Sequence, residues 1–449
     1  MSALTDRIRG IVVPGPKGPG LHPHVPALPA SPDLEAILAG HWSDGCFIVD
    51  RRWEPSARHG RDEIGEMTGR LEQSAADAPL FSNAANGTRA RAPFVFFDLE
   101  TTGLSGGAGT QAFLVGCAWC EADGAFVTRQ YVLTRYADER PLLRLVAGEL
   151  ARAGALVSFN GKSFDAPVLE TRYLFHRLAW IGADVPHVDV LHPARQFWKR
   201  DSCSLVALER DVLGYSRVGD VPGCEIPERY FQFVRSGDAR PLAAVLEHNR
   251  LDLLSLAALT SRLLHLSRVG PREARDAQEA LALGRVYARA GRDAGARAAF
   301  EQAVEMSGRE TVGPAGAAGA LDNVRLDALR ALALALRRAR DYVQAAVCWR
   351  EILDTPACPA LLANDAAEAL AIHHEHRARD LAAARTFALR IGEAGLPGRN
   401  DAVRHRVARL DRKLETATAR QPSLSWPSPS SRTLPRSSGS PTSAPRTSS

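Results

Sequence analysis

The sequence predicts a mixed α/β domain, a sheet flanked by helices, followed by an all-α domain of helical repeats. Three observations carry that expectation. Short apolar runs of strand type crowd residues 92–159 and then alternate with segments of helical period. Beyond Arg272, strand formers nearly vanish, and Ala, Leu and Arg recur with a helical spacing. The same offsets of leucine, alanine and aromatic residue then appear three times over. A chain of 449 residues is long for one core, so several domains are expected. The boundaries read as an N-terminal segment at 1–91, partly flexible with a short strand region, the α/β domain at 92–268, the repeats at 272–418, and a disordered tail at 419–449.

In chain order, Val13 to Pro32 is rich in Pro, Gly and His and suits an extended entry segment. Gly45 to Asp50 reads as a strand. Ala92 to Phe97 is a compact apolar strand, followed by turn residues from Gly103 to Gly109 and two further strands, Ala112 to Cys120 and Ala125 to Leu133. A helix is expected over Glu139 to Ala153 and another buried strand over Ala155 to Phe159. In the repeats, Leu283-Gly284, Tyr287, Gly291, Ala296, Phe300 and Ala303 reproduce the tetratricopeptide offsets, in which small residues let paired helices approach closely. The offsets return as Leu332, Ala345, Trp349 and as Leu370, Ala383, Phe387, after an insert at 308–323. An unrelated helical bundle is the alternative, since Ala and Leu at these spacings also pack ordinary helices. From Gln421 on, 20 of 29 residues are Ser, Thr or Pro, too polar to offset the entropy of ordering the chain.

Composition bounds the function weakly. The chain has 45% hydrophobic and 24% charged residues, which excludes collagen, a small disulfide scaffold and disorder throughout. The net charge of +5 belongs mostly to the tail, where Arg432, Arg436 and Arg446 face no acid; without it, 53 basic residues stand against 51 acidic. Bulk charge therefore says little about partners. Seven scattered cysteines form no disulfide framework and favour a reducing compartment. Cys117 and Cys120 lie in one strand, pointing to opposite faces, and read as core or surface thiols rather than a zinc site. The first residues lack a secretory leader and no window is apolar enough to span a membrane, so a cytoplasmic protein with no membrane partner is expected.

Carboxylates carry the chemistry. Asp98 and Glu100, at i and i+2 on an apolar strand, project from one face. A second strand-to-helix junction, Leu156 to Asp165, delivers Asp165. On a helix, His248 and Asp252 lie one turn apart on one side. Buried acids are costly unless a cation meets them. Four acids from three segments can converge on two divalent ions, and oxygen donors suit Mg²⁺ or Mn²⁺ rather than zinc. Such a pair of ions activates water against a phosphodiester. His248, with an ordinary pKa near neutrality, is the candidate to take the proton from that water. Nucleic acid is thus the expected substrate.

These residues resemble a known family. Asp98-Leu99-Glu100-Thr101-Thr102-Gly103-Leu104 looks like the first motif of the DEDD exonuclease superfamily, Asn160 to Asp165 looks like its second, and His248 with Asp252 stands where the third belongs. With Asp220-Val221-Pro222-Gly223 and Glu225-Ile226-Pro227, the combination most resembles bacterial YprB-type ribonuclease H-like proteins, which are similar in carrying helical repeats afterwards. The resemblance covers about residues 93 to 265 and implies a ribonuclease H-like fold with a five-stranded mixed sheet. It also implies 3′-to-5′ exonuclease activity, with Asp98, Glu100, Asp165 and Asp252 as ligands for two ions. By the same resemblance Thr101, Leu104 and Asn160 meet the substrate, Leu104 either wedging against the terminal base or serving as an ordinary turn residue. One departure stands out. Members with this histidine usually place four residues before the last aspartate, whereas here there are three, which rotates His248 about the helix.

Other features have two readings. Asp189 is a fifth acid near the site or the cap of the following helix. Arg195, Lys199 and Arg200 with Phe197 and Trp198 suit either a single-strand interface or the two faces of a helix, and the latter is favoured. Gly103 to Thr110 lacks the lysine of a phosphate loop and reads as a hairpin leaving room for substrate. His373, His374 and His376 with Glu375 read as a polar repeat surface. The rival to a nuclease is a non-catalytic scaffold that binds nucleic acid or protein; the repeats are the candidate surface for a protein partner in either case. Clustered acids would weaken a pure nucleic-acid binder, which favours hydrolysis.

Overall fold

The computed structural model describes residues 33–82, 84–103, 109–198, 202–309, 318–356, 358–393 and 400–419. Leu104, the entry segment up to Pro32, Lys199, Arg200, residues 310–317 of the insert and the tail from Arg420 lie outside the described residues. The chain divides into two compact units, Met1–Glu351 and Ile352–Ser449.

A seven-stranded mixed sheet organises the first unit. Strands β1 (His41–Ser43), β2 (Cys46–Trp53), β5 (Phe94–Thr101), β6 (Ala112–Cys120), β7 (Phe126–Val132), β8 (Ala155–Ser158) and β9 (His187–Asp189) run in the order β1-β2-β7-β6-β5-β8-β9. Two-residue strands β3 (Arg58–His59) and β4 (Asp62–Glu63) pair separately. β5, β6 and β7 form the antiparallel meander, and β8 and β9 add in parallel beside β5. Two of the seven strands come from residues 41–53, because Phe47 to Trp53 pairs with Phe126 to Val132 and extends the five-stranded sheet that the sequence resemblance implies. β5 continues past the apolar run to Thr101, so Asp98 and Glu100 lie on the strand, near its end.

Alternation along the strands sorts side chains between two helical layers. On β7, Gln130 reaches Leu246 O at 2.7 Å and Asn249 Oδ1 at 2.9 Å, both on the long helix Arg240–Val269. Its neighbours Arg129 and Tyr131 point the other way and reach Glu149, on the helix Glu139–Leu150, at 3.0 and 3.3 Å. Phe97 and Leu99 fill the core on the Glu139–Leu150 side, which leaves Asp98 and Glu100 beneath the long helix. Gly116, opposite Asp98 in the ladder, makes this approach possible: a Cβ there would stand 2.2 Å from Asn249 Oδ1.

After the long helix the chain is helical throughout its described residues, beginning with the pair Ala277–Arg289 and Asp293–Arg309. Gly284 sits against the Phe300 ring, with no room for a side chain. Leu283, Tyr287, Ala296, Phe300, Ala303, Leu332, Ala345, Trp349, Leu370 and Phe387 are buried; in the third copy the buried alanine is Ala384, one position beyond Ala383. In the second unit the expected polar surface at residues 373–376 needs correction. Glu375 is buried and ion-paired with Arg409 and Lys413 at 2.6 and 2.7 Å, while the His374 ring stacks on Phe387. A buried carboxylate needs cationic partners, and these lie more than 30 residues away in sequence.

Candidate metal centre

The long helix, β5 and the helix Asp165–Phe175 bring the expected acids together. Glu100, His248 and Asp252 form the tightest group, each offering a ligand atom within 4.8 Å of the other two. Asp98 and Asp165 stand outside that triad but within electrostatic reach. Burial first, then Asp252, Asp165 and Glu100, hold the Asp98 carboxyl well above its usual range, against a hydrogen bond from Asn249 Nδ2 at 2.8 Å. Burial and the charges of Asp252, Asp165 and Asp220 do the same to Glu100, opposed by Arg217. Burial pushes Asp165 up to about 7, helped by Asp189 and Asp252 and opposed by a backbone hydrogen bond. Carboxyls that raise one another's pKa in this way mark a site short of positive charge.

One cation is built in. The Arg217 side chain, 3% exposed, pairs with Glu209 through Nε at 2.8 Å, with Asp220 through Nη1 at 3.1 Å, and with Oδ1 of Asp252. Asp252 Oδ2 is left facing His248 Nε2 at 3.5 Å. Burial raises the Asp252 pKa even so, although Arg217 and His248 both pull it down. His248 Nδ1 lies 2.7 Å from Asp220 Oδ1. Because an ionised carboxylate only accepts, Nδ1 is the donor of that hydrogen bond, and Nε2 is turned toward Asp252. Burial would raise Asp220, but this hydrogen bond and the charges of His248 and Arg217 bring it below the usual range.

The remaining expected residues have mixed surroundings. Thr101 donates its hydroxyl to Gly103 O at 2.9 Å and is buried at the end of β5. Asn160 is exposed, with φ of 67°, and its amide donates to Asp189 Oδ1 at 2.8 Å. Asp189 also accepts from the amides of Lys162 and Leu191, so it fixes the loop that leads to Asp165. Phe197 and Trp198 are buried while Arg195 is exposed, as the two faces of a helix require. Cys117 is buried and Cys120 partly exposed, and none of the seven cysteines is in a disulfide.

Sequence reasoning passed over Arg217, Glu209 and Asn249, and it quoted Asp220 without placing it at the site. Only Gly116 carried a signal, since an isolated glycine inside an apolar strand marks close approach of another element.

A triad of two carboxylates and an imidazole, backed by two further acids and oriented from behind, could hold a divalent cation. Residues 95–264 match the RNase_H_2 family model, of the RNase_H superfamily. This part of the chain is similar to ribonuclease H superfamily domains and has a ribonuclease H-like fold. The match begins at β5 and ends inside the long helix, so the ribonuclease H-like domain contains every acid of the centre. The chain is also 29% identical over 385 residues to "Uncharacterized protein YprB" of Bacillus subtilis (strain 168), a similarity spanning 82% of this chain and 86% of that one. The similarity therefore extends past the ribonuclease H-like domain. No helix among the described residues is long and apolar enough to cross a membrane.

Proposed function

We propose that the chain is a metal-dependent nuclease that hydrolyses phosphodiester bonds of nucleic acid, acting as a 3′-to-5′ exonuclease, with tetratricopeptide-like repeats that engage a protein partner or position substrate in the cytoplasm. The observation that carries this reading is the convergence of Asp98, Glu100, Asp165 and Asp252 with His248 inside a ribonuclease H-like domain. Two Mg²⁺ or Mn²⁺ ions held by the four acids would supply the charge that activates water and stabilises the leaving oxygen.

The chain's own residues divide the remaining work. Asn249 holds Asp98 in place through its Nδ2 and is itself held by Gln130. Asp220 keeps the Nδ1 proton of His248, so that Nε2 is free to receive a proton from the attacking water. Arg217 fixes Oδ1 of Asp252 and leaves Oδ2 toward the centre. Uncompensated carboxylates would repel a phosphate backbone, which favours hydrolysis over the scaffold reading. The test is a panel of end-labelled DNA and RNA strands incubated with Mg²⁺ or Mn²⁺, with Asp98→Ala as control. Ladders shortening from the 3′ end support the proposal; no product from any strand with either metal refutes it.

A further inference from the structure

A second feature of the first unit is basic rather than acidic. The helix Leu191–Phe197, the loop before Asp165 and the first helix of the repeat region border an open cavity of about 200 Å³ whose lining includes Phe81, Lys162, His192, Gln196 and Arg289. The Arg289 side chain is placed by Gln196, to whose Oε1 it donates at 3.3 Å. The helix bearing it is locked to the α/β domain by Gln278 donating to Gln196 O at 2.5 Å and Trp198 donating to Glu279 at 2.8 Å. Among the described residues no acidic side chain hydrogen-bonds to Lys162, His192 or Arg289. Asp189, which acts electrostatically on Lys162, has its oxygens occupied by three backbone amides. Phe81 is half-buried, its ring edge-to-face with Phe197 at 6.4 Å, which offers a fixed aromatic surface beside the cations.

Lys162 links the cavity to the loop that leads into Asp165. Gly161, immediately before Lys162, is so close to Asp165 that an added Cβ would stand 3.0 Å from Oδ2. We infer that Lys162, His192 and Arg289 bind the backbone phosphates of the single strand whose end enters the centre, with Phe81 stacking against a base. The first repeat helix is then part of the substrate interface rather than a separate module. Cations around a polar cavity with one aromatic wall fit a phosphodiester strand, in which charge gives affinity and stacking is tolerant of sequence. This rests on the nuclease reading for the polarity of the strand, yet binding can be measured without cleavage.

The experiment is fluorescence anisotropy of a labelled 12-nucleotide single strand titrated with the full chain in EDTA, across a salt series, for the unaltered protein, Arg289→Ala, Arg289→Glu and Lys162→Ala. Both side chains are exposed, and circular dichroism verifies folding. The inference predicts that Arg289→Glu weakens binding at least tenfold and that each alanine variant lowers the log–log salt slope by about 0.7 per lost phosphate contact. An unchanged affinity and slope in folded variants overturns it, as does AMP competing as tightly as a 12-mer. Cleavage by the unaltered chain alongside unaltered binding by Arg289→Glu removes this cavity and leaves the nuclease reading standing. Cavity-dependent binding without cleavage in Mn²⁺ does the reverse.

Discussion

His248 Nδ1 donates to Asp220 Oδ1 at 2.7 Å, across 28 residues of chain, and the imidazole of the candidate centre is thereby oriented from outside its own helix. Asp220→Asn keeps the shape but loses the carboxylate that holds the Nδ1 proton. A loss of outer carboxylate support typically costs about 10- to 100-fold in activity or metal affinity. Steady-state kinetics on a labelled strand should show that fall mainly in kcat, with a Tm close to that of the unaltered protein.

Arg217 is the sole guanidinium bridging Glu209, Asp220 and Asp252 among the described residues. Glu209 and Arg217 are both nearly inaccessible to water. Removing the cation strands buried carboxylates, a loss of about 3–5 kcal/mol when one partner of a buried pair is deleted. Arg217→Met should lower stability by that order in urea denaturation, and Glu209→Gln added to it should recover part of the loss. Equal stability of Arg217→Met and the unaltered chain would contradict the arrangement.

The acids of the centre make the metal-free protein sensitive to pH. Asp165 binds its proton more tightly folded, at about 7, than at its ordinary value of 3.8. A group whose folded pKa is raised costs stability as it ionises, so metal-free stability should fall as pH rises between about 4 and 7. Asp98, Glu100 and Asp252 shift in the same direction. Thermal melts in EDTA should therefore show a lower Tm at pH 8 than at pH 5.5, and Mn²⁺ should raise Tm more at pH 8. Asp165→Asn should raise the metal-free Tm at pH 8 by a few degrees, with little gain at pH 5.5.

Gly116 holds the sheet open for Asn249. Gly116→Ala places a methyl group 2.2 Å from Asn249 Oδ1 and 2.8 Å from a Leu253 methyl, in contact with a fully buried helix face. Overpacking of this kind costs about 1–3 kcal/mol. The same displacement would move Asn249 off Asp98, so activity should drop together with stability in paired melting and cleavage assays.

Much of the sheet could be read in advance because Phe94 to Phe97, Ala112 to Cys120 and Ala155 to Ser158 are apolar runs of strand length bounded by turn residues. The acids were legible for a related reason: a carboxylate beside a buried strand is costly, so its presence there asks for a cation. The edge made by β1 and β2 was harder to assign, since Gly45 to Asp50 reads as a strand without saying which strand it pairs with. Arg217, Glu209 and Asn249 were illegible for a different reason. Charged residues in a sequence declare their sign but not their burial, and only the folding of a separate loop onto the long helix makes Arg217 the counter-charge of Asp252. Glu375 was misread as surface on the same ground, because its cations arrive from a helix further along the chain.

The most direct test is cleavage of one strand, labelled at its 5′ end, by the purified chain in Mn²⁺, with Asp98→Ala and Asp252→Asn run beside it. The account predicts a ladder of products shortening from the 3′ end, abolished by both substitutions and by EDTA. Full activity in either variant, or no product from the unaltered chain, would contradict it.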